Sequence, residues 1–497
     1  MLLLYATAVL AAFIVGVILY ARWHYGELES VGIPTVKPGF IFGSDPNIHD
    51  VVVHEQDYER FKQFGEVWGI YEGRSPQVFI ADPEIARQIL IKDFENFRNR
   101  RIMDFGHELI NEMLDVLPYD TWKVLRTAFT PAFTTGKIRG MSKTIEDAVI
   151  DCVNHVDKQV GDSSGTVMDV KKLFSALTTD VIARCVFGMN LNAVNDDNNE
   201  FVKSTAVLTG DTEDPPKFFS ALQTFPILAK GIPIFPGKAL DFFGGILRNV
   251  MKTRREENNL QNDMVDSLNE LMAKLPTPEF KQLKITETTI LCQALIFLLA
   301  GFETTATTLT MLSYYLGNNP DKQKKLIEEL DELMEKSEGK ITHDNLSELP
   351  YMNACINETL RLVSPVIRIE RVCAKDWKHE ESGLIIKKGW TVLFPNHSIH
   401  RNEKYWPEPH KYMPERFMPE NKDKFNPYAF MSFGQGPRNC IGSRFAKEEL
   451  IYSLALILKD FYFEATDETK LEFKKGRMFL DQYQPVKTDQ ANARVGR

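Results

Sequence analysis

Residues 433–442 read Phe-Gly-Gln-Gly-Pro-Arg-Asn-Cys-Ile-Gly, and a helical pattern follows them as far as Asp460. A Gly- and Pro-rich loop that leads into a helix directs free backbone N–H groups and the positive end of the helix dipole at its own side chains. This setting favours the thiolate form of Cys440, and Arg438 adds a positive charge two residues away. A thiolate is a metal ligand or a nucleophile. The loop therefore makes Cys440 a candidate site residue, while an ordinary structural cysteine remains the alternative.

The other cysteines carry no motif of their own. None of the six forms a Cys-x-x-Cys pair, which argues against a zinc site or a disulfide framework. We expect a reducing compartment and five buried, unreactive thiols. These five are Cys152, Cys185, Cys292, Cys355 and Cys373.

The composition limits the class of protein. The chain has 497 residues, of which 43% are hydrophobic and 26% charged, and its formal net charge is −9. Ordinary apolar content and a small net charge per residue exclude a disordered chain. The acidic balance argues against nucleic acid as a partner.

The N-terminal segment predicts a membrane anchor. Residues 1–21 contain no charged side chain, and as a helix they would span about 31 Å, close to one hydrocarbon core. A cleaved signal peptide is the alternative, but the segment ends without a good small-residue cleavage pattern. Arg22 and Trp23 fit a cytosolic interface. We therefore predict an anchor at 1–21, a Pro- and Gly-containing linker at 22–39 and one globular domain at 40–497.

The pattern of the body predicts a mainly α (α+β) fold with a large helical domain and small β-sheets. Two strands are expected at Val67–Glu72 and Gln77–Ala81, and helices are expected after Pro83, Pro320 and Pro350. The last long helix is expected over residues 442–460.

The longest predicted helix runs from about Thr286 to Gly317, and its middle is apolar. Gly301, Glu303 and Thr304 interrupt that apolar stretch. A glycine inside a helix costs about 1 kcal/mol relative to alanine, and a buried glutamate is costly unless it is paired. Such unfavourable choices favour a functional site, although local hydrogen bonding could also explain them.

Several motifs together resemble those of the cytochrome P450 monooxygenases, and they cover residues 30 to 485. The Cys440 loop is similar to the haem-binding signature of that family, and the other matches follow in the family's order. They are 300–305 (Ala-Gly-Phe-Glu-Thr-Thr), 358–361 (Glu-Thr-Leu-Arg), 414–417 (Pro-Glu-Arg-Phe), and Trp122 with Arg126. Short stretches of sequence outside these motifs are most similar to the animal microsomal, drug-oxidising branch of the family.

The resemblance implies a cytochrome P450 fold with haem b as cofactor and Cys440 as the proximal metal ligand. Phe433 would pack beside the sulfur, and Ala300 would line the distal side together with Phe297 and Thr308. Five further residues would hold the haem propionates: Arg100, Trp122, Arg126, Arg371 and Arg438. Glu358, Arg361 and Arg416 would form a buried structural cluster.

The resemblance also implies the chemistry. Thr304 would hydrogen-bond bound O₂ or its water, Glu303 would relay protons, and Gly301 would loosen the helix to make room for O₂ and that water. One oxygen atom would enter a lipophilic substrate, such as a xenobiotic, a steroid or a fatty acid. The electrons would come from NADPH through a separate protein. The alternative is a haem-thiolate isomerase or dehydratase that rearranges peroxides without a reductase.

The implied partners are NADPH–cytochrome P450 reductase, cytochrome b5 and the endoplasmic reticulum membrane, with the catalytic domain in the cytosol. Candidate docking lysines are Lys123, Lys137, Lys424 and Lys447. Substrate choice would depend on residues 102–119, 207–243, 364–369 and 478–480. The second of these segments is unusually apolar and would either roof the pocket or enter the bilayer; its apolar residues are Phe218, Phe219, Phe225, Ile227, Leu228, Ile232, Ile234 and Phe235.

Overall fold

A computed structural model describes residues 1–102, 104–163, 165–196, 198–208, 219–229, 235–257, 263–346, 348–466, 469, 471–476 and 492–496. Most of these residues are helical. The α-helices are α1 Leu2–Ala21, α2 Glu27–Ser30, α3 Val53–Phe64, α4 Pro83–Arg87, α5 Glu108–Asn111, α6 Tyr119–Phe129, α7 Thr135–Val160, α8 Val170–Phe187, α9 Glu200–Leu208, α10 Phe219–Thr224, α11 Pro226–Ala229, α12 Gly237–Glu256, α13 Met264–Lys274, α14 Pro278–Gln282, α15 Glu287–Asn318, α16 Pro320–Lys336, α17 His343–Leu346, α18 Pro350–Leu362, α19 Asn396–Ile399 and α20 Ser443–Asp460.

The strands are short and form three small sheets. They are β1 Val67–Glu72, β2 Ser75–Ile80, β3 Gly165–Asp169, β4 Arg368–Val372, β5 Trp377–Lys378, β6 Ile385–Ile386, β7 Thr391–Pro395, β8 Tyr462–Ala465 and β9 Asn492–Gly496. The largest sheet has the order β1-β2-β7-β4, and only its β2–β7 pair is parallel. The others have the orders β3-β9-β8 and β5-β6. This architecture confirms the mainly α prediction.

Short turns connect these elements. A π turn covers Gln88–Lys92, and the 3-10 turns are Ile48–Asp50, Phe94–Asn96, Thr130–Phe133, Ala193–Asn195, Pro414–Phe417, Pro419–Lys424 and Pro427–Ala429. The hairpin turn between β1 and β2 is shorter than the predicted 73–76, because Pro76 already lies within β2. Here β2 is paired on both sides, with β1 and with β7.

Helix α15 crosses the helical core. It begins after Thr286, whose side chain caps the helix as predicted by accepting from the Thr289 N–H. By length and apolar composition α15 could also span a membrane, but most of it is buried inside the protein. Helix α1 passes the same test with no buried residue in its apolar window. Of the two, α1 is therefore the candidate anchor.

Glycine at position 301 allows two helices to come close together. A Cβ atom on Gly301 would overlap the Ile182 side chain of α8. The residue was expected to loosen α15, and the structure instead gives it a packing role. The loss of helix propensity, about 1 kcal/mol, is offset by the contact that α8 makes with the middle of α15.

A second, smaller core surrounds the four-stranded sheet. It includes Leu28 and Ile33, which lie in the segment predicted as a linker. Thr35 also forms a bridge to Gly69 of β1. The segment after the anchor is therefore packed against the sheet, and the domain boundaries stay a prediction.

Candidate functional site

The Cys440 loop is a tight turn held by backbone hydrogen bonds. The Cys440 N–H donates to the Phe433 carbonyl at 2.8 Å, and the Gly434 N–H donates to the Met431 carbonyl at 2.8 Å. Gly436 has a φ of +74°, which favours glycine. A Cβ atom there would overlap the backbone carbonyl of Leu90. The glycine is thus required for both its backbone conformation and its close contact with the π turn.

The sulfur of Cys440 keeps an accessible surface although protein surrounds it. Cys440 is the exposed cysteine and the other five are buried, which confirms the expectation for those five. Burial is the largest influence on the Cys440 pKa and raises it, while the Gly442 N–H and the Arg126 charge lower it less. Burial therefore disfavours the thiolate in the protein without a metal, contrary to the expectation from the sequence, and the Gly442 N–H and the Arg126 charge offset it only in part. A coordinated metal would ionise the thiol outright.

Two buried arginines near this loop have unsatisfied donors. The Arg438 side chain lies over the Trp122 ring, with its guanidinium carbon 4.4 Å from the ring centroid. Its Nη2 donates to the Leu117 carbonyl at 3.0 Å, whereas its Nε and Nη1 have no partner among the described residues. Arg371 donates from Nη1 to the Glu370 carbonyl at 2.7 Å, and its Nε has no partner there. Buried charges are normally paired, so these donors point to an absent anion.

The same arginines repel one another. Burial, and then the charge of Arg100, lower the pKa of Arg438 to about 9. Burial also lowers the pKa of Arg371, and Arg100 and Arg438 lower it further. Asp115 and Glu370 act in the opposite direction without cancelling these effects. We call Arg100, Arg371 and Arg438 the open cluster, because its donors and its positive charge lack a matching anion among the described residues.

Trp122 and Arg126 occupy the neighbouring helix α6. Arg126 donates from Nη1 to the Asn439 carbonyl at 2.9 Å and from Nη2 to Asn439 Oδ1 at 3.1 Å. Arg126 thus contacts the residue before the cysteine, and its charge acts on the sulfur. Arg438 is not among the charges that act on the sulfur, contrary to the expectation from sequence proximity.

The open cluster and Cys440 fit a haem group. A haem carries two propionate carboxylates, which match the unsatisfied guanidinium donors in charge and in hydrogen bonding. The accessible thiol supplies the ligand that iron would need. The donor set therefore fits the group that the motifs imply.

Helix α15 exposes a narrow face in its middle. Ala300 is exposed and Thr304 is half-buried, although most residues of this helix are buried. The Thr304 hydroxyl donates to the Ala300 carbonyl at 2.6 Å. Phe297, by contrast, is buried and its ring centroid lies 5.0 Å from that of Phe129. Thr308 is buried as well, so Ala300 and Thr304 are the accessible members of the predicted distal face.

Glu303 contacts a neighbouring helix. Lys171, at the start of α8, donates to Glu303 Oε1 at 2.6 Å, and the Thr307 hydroxyl donates to the same oxygen at 3.2 Å. Lys171 also donates to the Thr307 oxygen at 3.3 Å. Sequence reasoning missed Lys171 because it lies 132 residues away in sequence. The sequence feature that could have identified Lys171 is its place at the start of a largely apolar helix.

The predicted cluster of Glu358, Arg361 and Arg416 is confirmed. Arg361 donates from Nε to Glu358 Oε2 at 2.7 Å and from Nη2 to Oε1 at 2.8 Å. Arg416 donates from Nε to Glu358 Oε1 at 3.3 Å. We call these three residues the closed cluster, because their charges are paired within the chain.

His400 joins the closed cluster to the Cys440 loop and was missed from the sequence. Its Nδ1–H donates to the Arg361 carbonyl at 2.9 Å, and its Nε2 accepts from the Met431 N–H at 2.9 Å. Met431 in turn accepts from the Gly434 N–H. The sequence around His400 carries no pattern that would have singled it out.

The substrate segments are described only in part. Phe218, Ile232, Ile234 and residues 478–480 lie outside the described residues, as does the side chain of Phe219. On the short helix α11, Ile227 is 82% exposed and Leu228 is 55% exposed. Phe225 stacks on Tyr20 at the end of α1, with 5.9 Å between the ring centroids. The apolar segment therefore lies beside the candidate anchor.

Comparisons with known proteins agree with these observations. The family model for Cytochrome P450 matches residues 33–489. "Cytochrome P450 3A28" of Bos taurus is 36% identical over 487 residues, which cover 96% of this chain and 94% of that protein. "Lithocholate 6-beta-hydroxylase" of Mesocricetus auratus is 34% identical over 481 residues, or 95% and 93% of the two chains.

Proposed function

The chain belongs to the cytochrome P450 family, as a monooxygenase that uses haem b, O₂ and NADPH-derived electrons, and we propose that it oxygenates lipophilic substrates at the cytosolic face of the endoplasmic reticulum. The observation that carries this proposal is the open cluster beside the accessible Cys440 thiol. Haem, when bound, supplies the O₂ activation that a proximal thiolate promotes.

The chain's own residues would hold the haem from two sides. Cys440 would bind the iron, and Phe433 would shield the sulfur, since its carbonyl already accepts from the Cys440 N–H. Arg100, Arg371 and Arg438 would pair with the propionates, and Trp122 would support Arg438 through their stacked contact. Arg126 would fix the loop through its two bonds to Asn439.

Thr304, Glu303 and Lys171 would handle protons on the distal side. The Thr304 hydroxyl lies on the accessible face of α15 and can turn from the Ala300 carbonyl toward bound oxygen or a water. Glu303 is held by Lys171 and Thr307, so its carboxylate is directed toward the start of α8 while its ion pair is intact. We propose that release of this ion pair lets Glu303 pass protons toward Thr304.

A Thr304→Ala variant tests this role. We expect it to keep haem while diverting reducing equivalents from substrate to hydrogen peroxide. Thr310→Ala is the matched control, because Thr310 makes the same kind of bond, to the Ala306 carbonyl at 2.8 Å, elsewhere on the buried helix. Equal coupling of NADPH use to product in wild type and Thr304→Ala would refute the role.

Electrons would arrive from NADPH–cytochrome P450 reductase, with cytochrome b5 as a second donor. Of the candidate lysines, Lys447 is tied to the Cys440 loop by contact, since its Nζ lies 5.7 Å from the Phe433 ring centroid. Lys123, Lys137 and Lys424 are exposed. We expect Lys447→Gln to weaken reductase binding more than Lys424→Gln, as measured by the reductase concentration at half-maximal rate.

The anchor and the apolar segment would share the bilayer. Arg74 lies over the Tyr20 ring at 4.3 Å, which adds a second contact to the Tyr20–Phe225 stack. Trp23 and Ile227 are both strongly exposed in this region. We expect deletion of residues 1–21 to leave a haem-containing body that still associates in part with membranes. A further Ile227→Ser and Leu228→Ser change should then release it.

The relatives guide the choice of substrate. One of them is named for 6β-hydroxylation of lithocholate, a steroid acid, so steroids belong in the first substrate panel beside drug-like apolar compounds. The chain in a bilayer with reductase should consume NADPH and O₂ in a substrate-dependent way and release hydroxylated product. Rearrangement of a lipid hydroperoxide without reductase, with no such consumption, would favour the isomerase alternative instead.

A further inference from the structure

A short segment next to the open cluster forms an extra edge on the four-stranded sheet. Asn99 and Val372 form an antiparallel bridge, and the Asn99 carbonyl accepts from the Val372 N–H at 2.8 Å. Val372 belongs to β4, whose other edge pairs with β7. Residues 99–101 therefore lie along the free edge of β4.

This register places four charged residues in two cross-strand pairs. One residue beyond this isolated bridge the Arg100 charge acts on Arg371, and two residues beyond it Arg101 bonds to the Glu370 carboxylate. Successive side chains of a strand point to opposite faces of the sheet. The like-charged pair therefore faces one way, toward Arg438, and the oppositely charged pair faces the other way.

The Arg101–Glu370 pair is closely bonded. The Arg101 backbone N–H donates to Glu370 Oε1 at 2.9 Å and its Nε donates to Oε2 at 2.8 Å. Its Nη1 forms an ion pair with Glu72 of β1. The Arg101 guanidinium thus joins the 99–101 segment to β4 and β1. These bonds fix the position of the segment as well as stabilising it.

The pKa shifts agree with this arrangement: Arg101 attracts Glu370, whereas Arg100 repels Arg371. Burial opposes ionisation of Glu370, but the charge and hydrogen bonds of Arg101 together outweigh it and lower the Glu370 pKa. In the neighbouring pair, burial and then Arg100 lower the pKa of Arg371. Like charges opposite each other on adjacent strands destabilise the pairing. The contacts of Arg101 with Glu370 and Glu72 act against this repulsion, together with the Asn99–Val372 hydrogen bond.

We propose that Arg101 is a positioning residue that, through Glu370 and Glu72, holds Arg100 and Arg371 side by side to receive the haem propionates. The proposal rests on the proposed haem role of the open cluster. Arg101 also neutralises the carboxylates of Glu370 and Glu72 beside the arginines that would hold the propionates, so its charge would raise the haem reduction potential. The effect of the Arg101 charge on the reduction potential can therefore be separated from the effect of its hydrogen bonds on the positions of Arg100 and Arg371.

Four variants separate these two effects. Arg101→Gln removes both charge and geometry, so we expect about tenfold faster haem transfer to an apoprotein acceptor, which corresponds to about 1.4 kcal/mol, and a lower reduction potential. Arg101→Lys keeps the charge, so it should restore the potential but only part of the haem retention. The double variant Arg101→Gln with Glu370→Gln should restore the potential and not the retention. Arg184→Gln, which breaks an ion pair of 2.8 Å between Arg184 of α8 and Asp151 of α7, should change neither.

Hydrogen exchange tests the structural step without activity. Amide exchange in residues 99–101 and 370–372 should be faster in Arg101→Gln than in Arg184→Gln.

If Arg101→Gln fails to fold, Glu370→Gln replaces it, and it should raise the potential and speed haem transfer. Wild-type haem transfer and potential in Arg101→Gln would overturn the inference while leaving the proposed function intact. A wild-type protein that binds no haem through Cys440 would overturn the proposed function itself.

Discussion

The closed and open clusters both contain buried arginines, yet the hydrogen bonding of these arginines differs. Arg361, in the closed cluster, uses all of its donors, since it bonds Glu358 twice and the carbonyls of His400, Pro409 and Lys411. In the open cluster, Arg438 leaves Nε and Nη1 without partners among the described residues. The protein therefore completes one arginine cluster by itself and leaves the other for an external anion.

This difference indicates which cluster is structural and which is a binding site. A charge that is fully paired within the chain stabilises the fold whether or not a ligand is present. A buried charge without a partner destabilises the fold until a ligand pairs with it. His400 links Arg361 of the closed cluster to Met431, next to the Cys440 loop, while Arg438 of the open cluster belongs to the loop itself.

Replacement of the cysteine should have the largest effect. Because neither cluster uses the sulfur, Cys440→Ser should keep the fold and both clusters but lose the thiolate-ligated haem completely. The reduced CO spectrum of the variant should lack the red-shifted Soret band of a thiolate-ligated haem. Circular dichroism should remain that of wild type, and loss of helical signal would show that the clusters depend on the ligand bond.

The closed cluster should be the more costly to break. Glu358→Gln removes one partner of a buried ion pair, so we expect about 3–5 kcal/mol lower free energy of unfolding in the presence or absence of haem. The measurement is chemical denaturation of both forms. Arg401→Gln is a useful comparison, because Arg401 is also buried and bonds to His397 at 2.9 Å and to the Leu362 carbonyl at 2.7 Å.

If the loss of unfolding free energy in Glu358→Gln depended on haem, the division into a structural and a haem-binding cluster would be wrong. If the loss of stability disappeared when haem bound, the closed cluster would be part of the binding site. Equal losses in both forms would support its structural role.

Replacement of Arg438 in the open cluster should stabilise the apoprotein and destabilise the haem-bound protein. Arg438→Met removes a buried charge with unsatisfied donors, so the apoprotein should gain about 1–3 kcal/mol in free energy of unfolding. The lost cation–π contact with Trp122 costs about 1 kcal/mol and does not reverse that gain. The haem-bound form should be weakened, because a propionate loses its partner. Thermal unfolding with and without haem measures both.

The sequence predicted the parts of this comparison that are local. The cysteine loop, the Glu358–Arg361 pair three residues apart and the bounds of α15 follow from short motifs and caps. Motif resemblance also named Arg100, Arg371 and Arg438, but not the fact that their charges act on one another. Lys171, His400 and Arg101 were not identified from the sequence, because each acts on a partner more than 30 residues away that only the fold brings near.

The last effect concerns pH and His400, which bonds to Arg361 of the closed cluster and to Met431. Burial, followed by the charges of Arg361 and Arg401, lowers the His400 pKa to about 3. Between pH 6.5 and 3 the unfolded chain therefore binds a proton at this position that the native protein does not. Stability should fall as the pH falls through this window, by up to about 1.4 kcal/mol per pH unit from this group.

A His400→Gln variant isolates this contribution, since glutamine can donate and accept hydrogen bonds without titrating. We expect it to be less stable at neutral pH but to lose less stability on acidification, as measured by denaturant midpoints between pH 7 and 5. His379→Gln, beside β5 and away from both clusters, should keep the wild-type pH dependence. An unchanged slope in His400→Gln would mean that acid acts first elsewhere, and that the two clusters are not linked through a neutral imidazole.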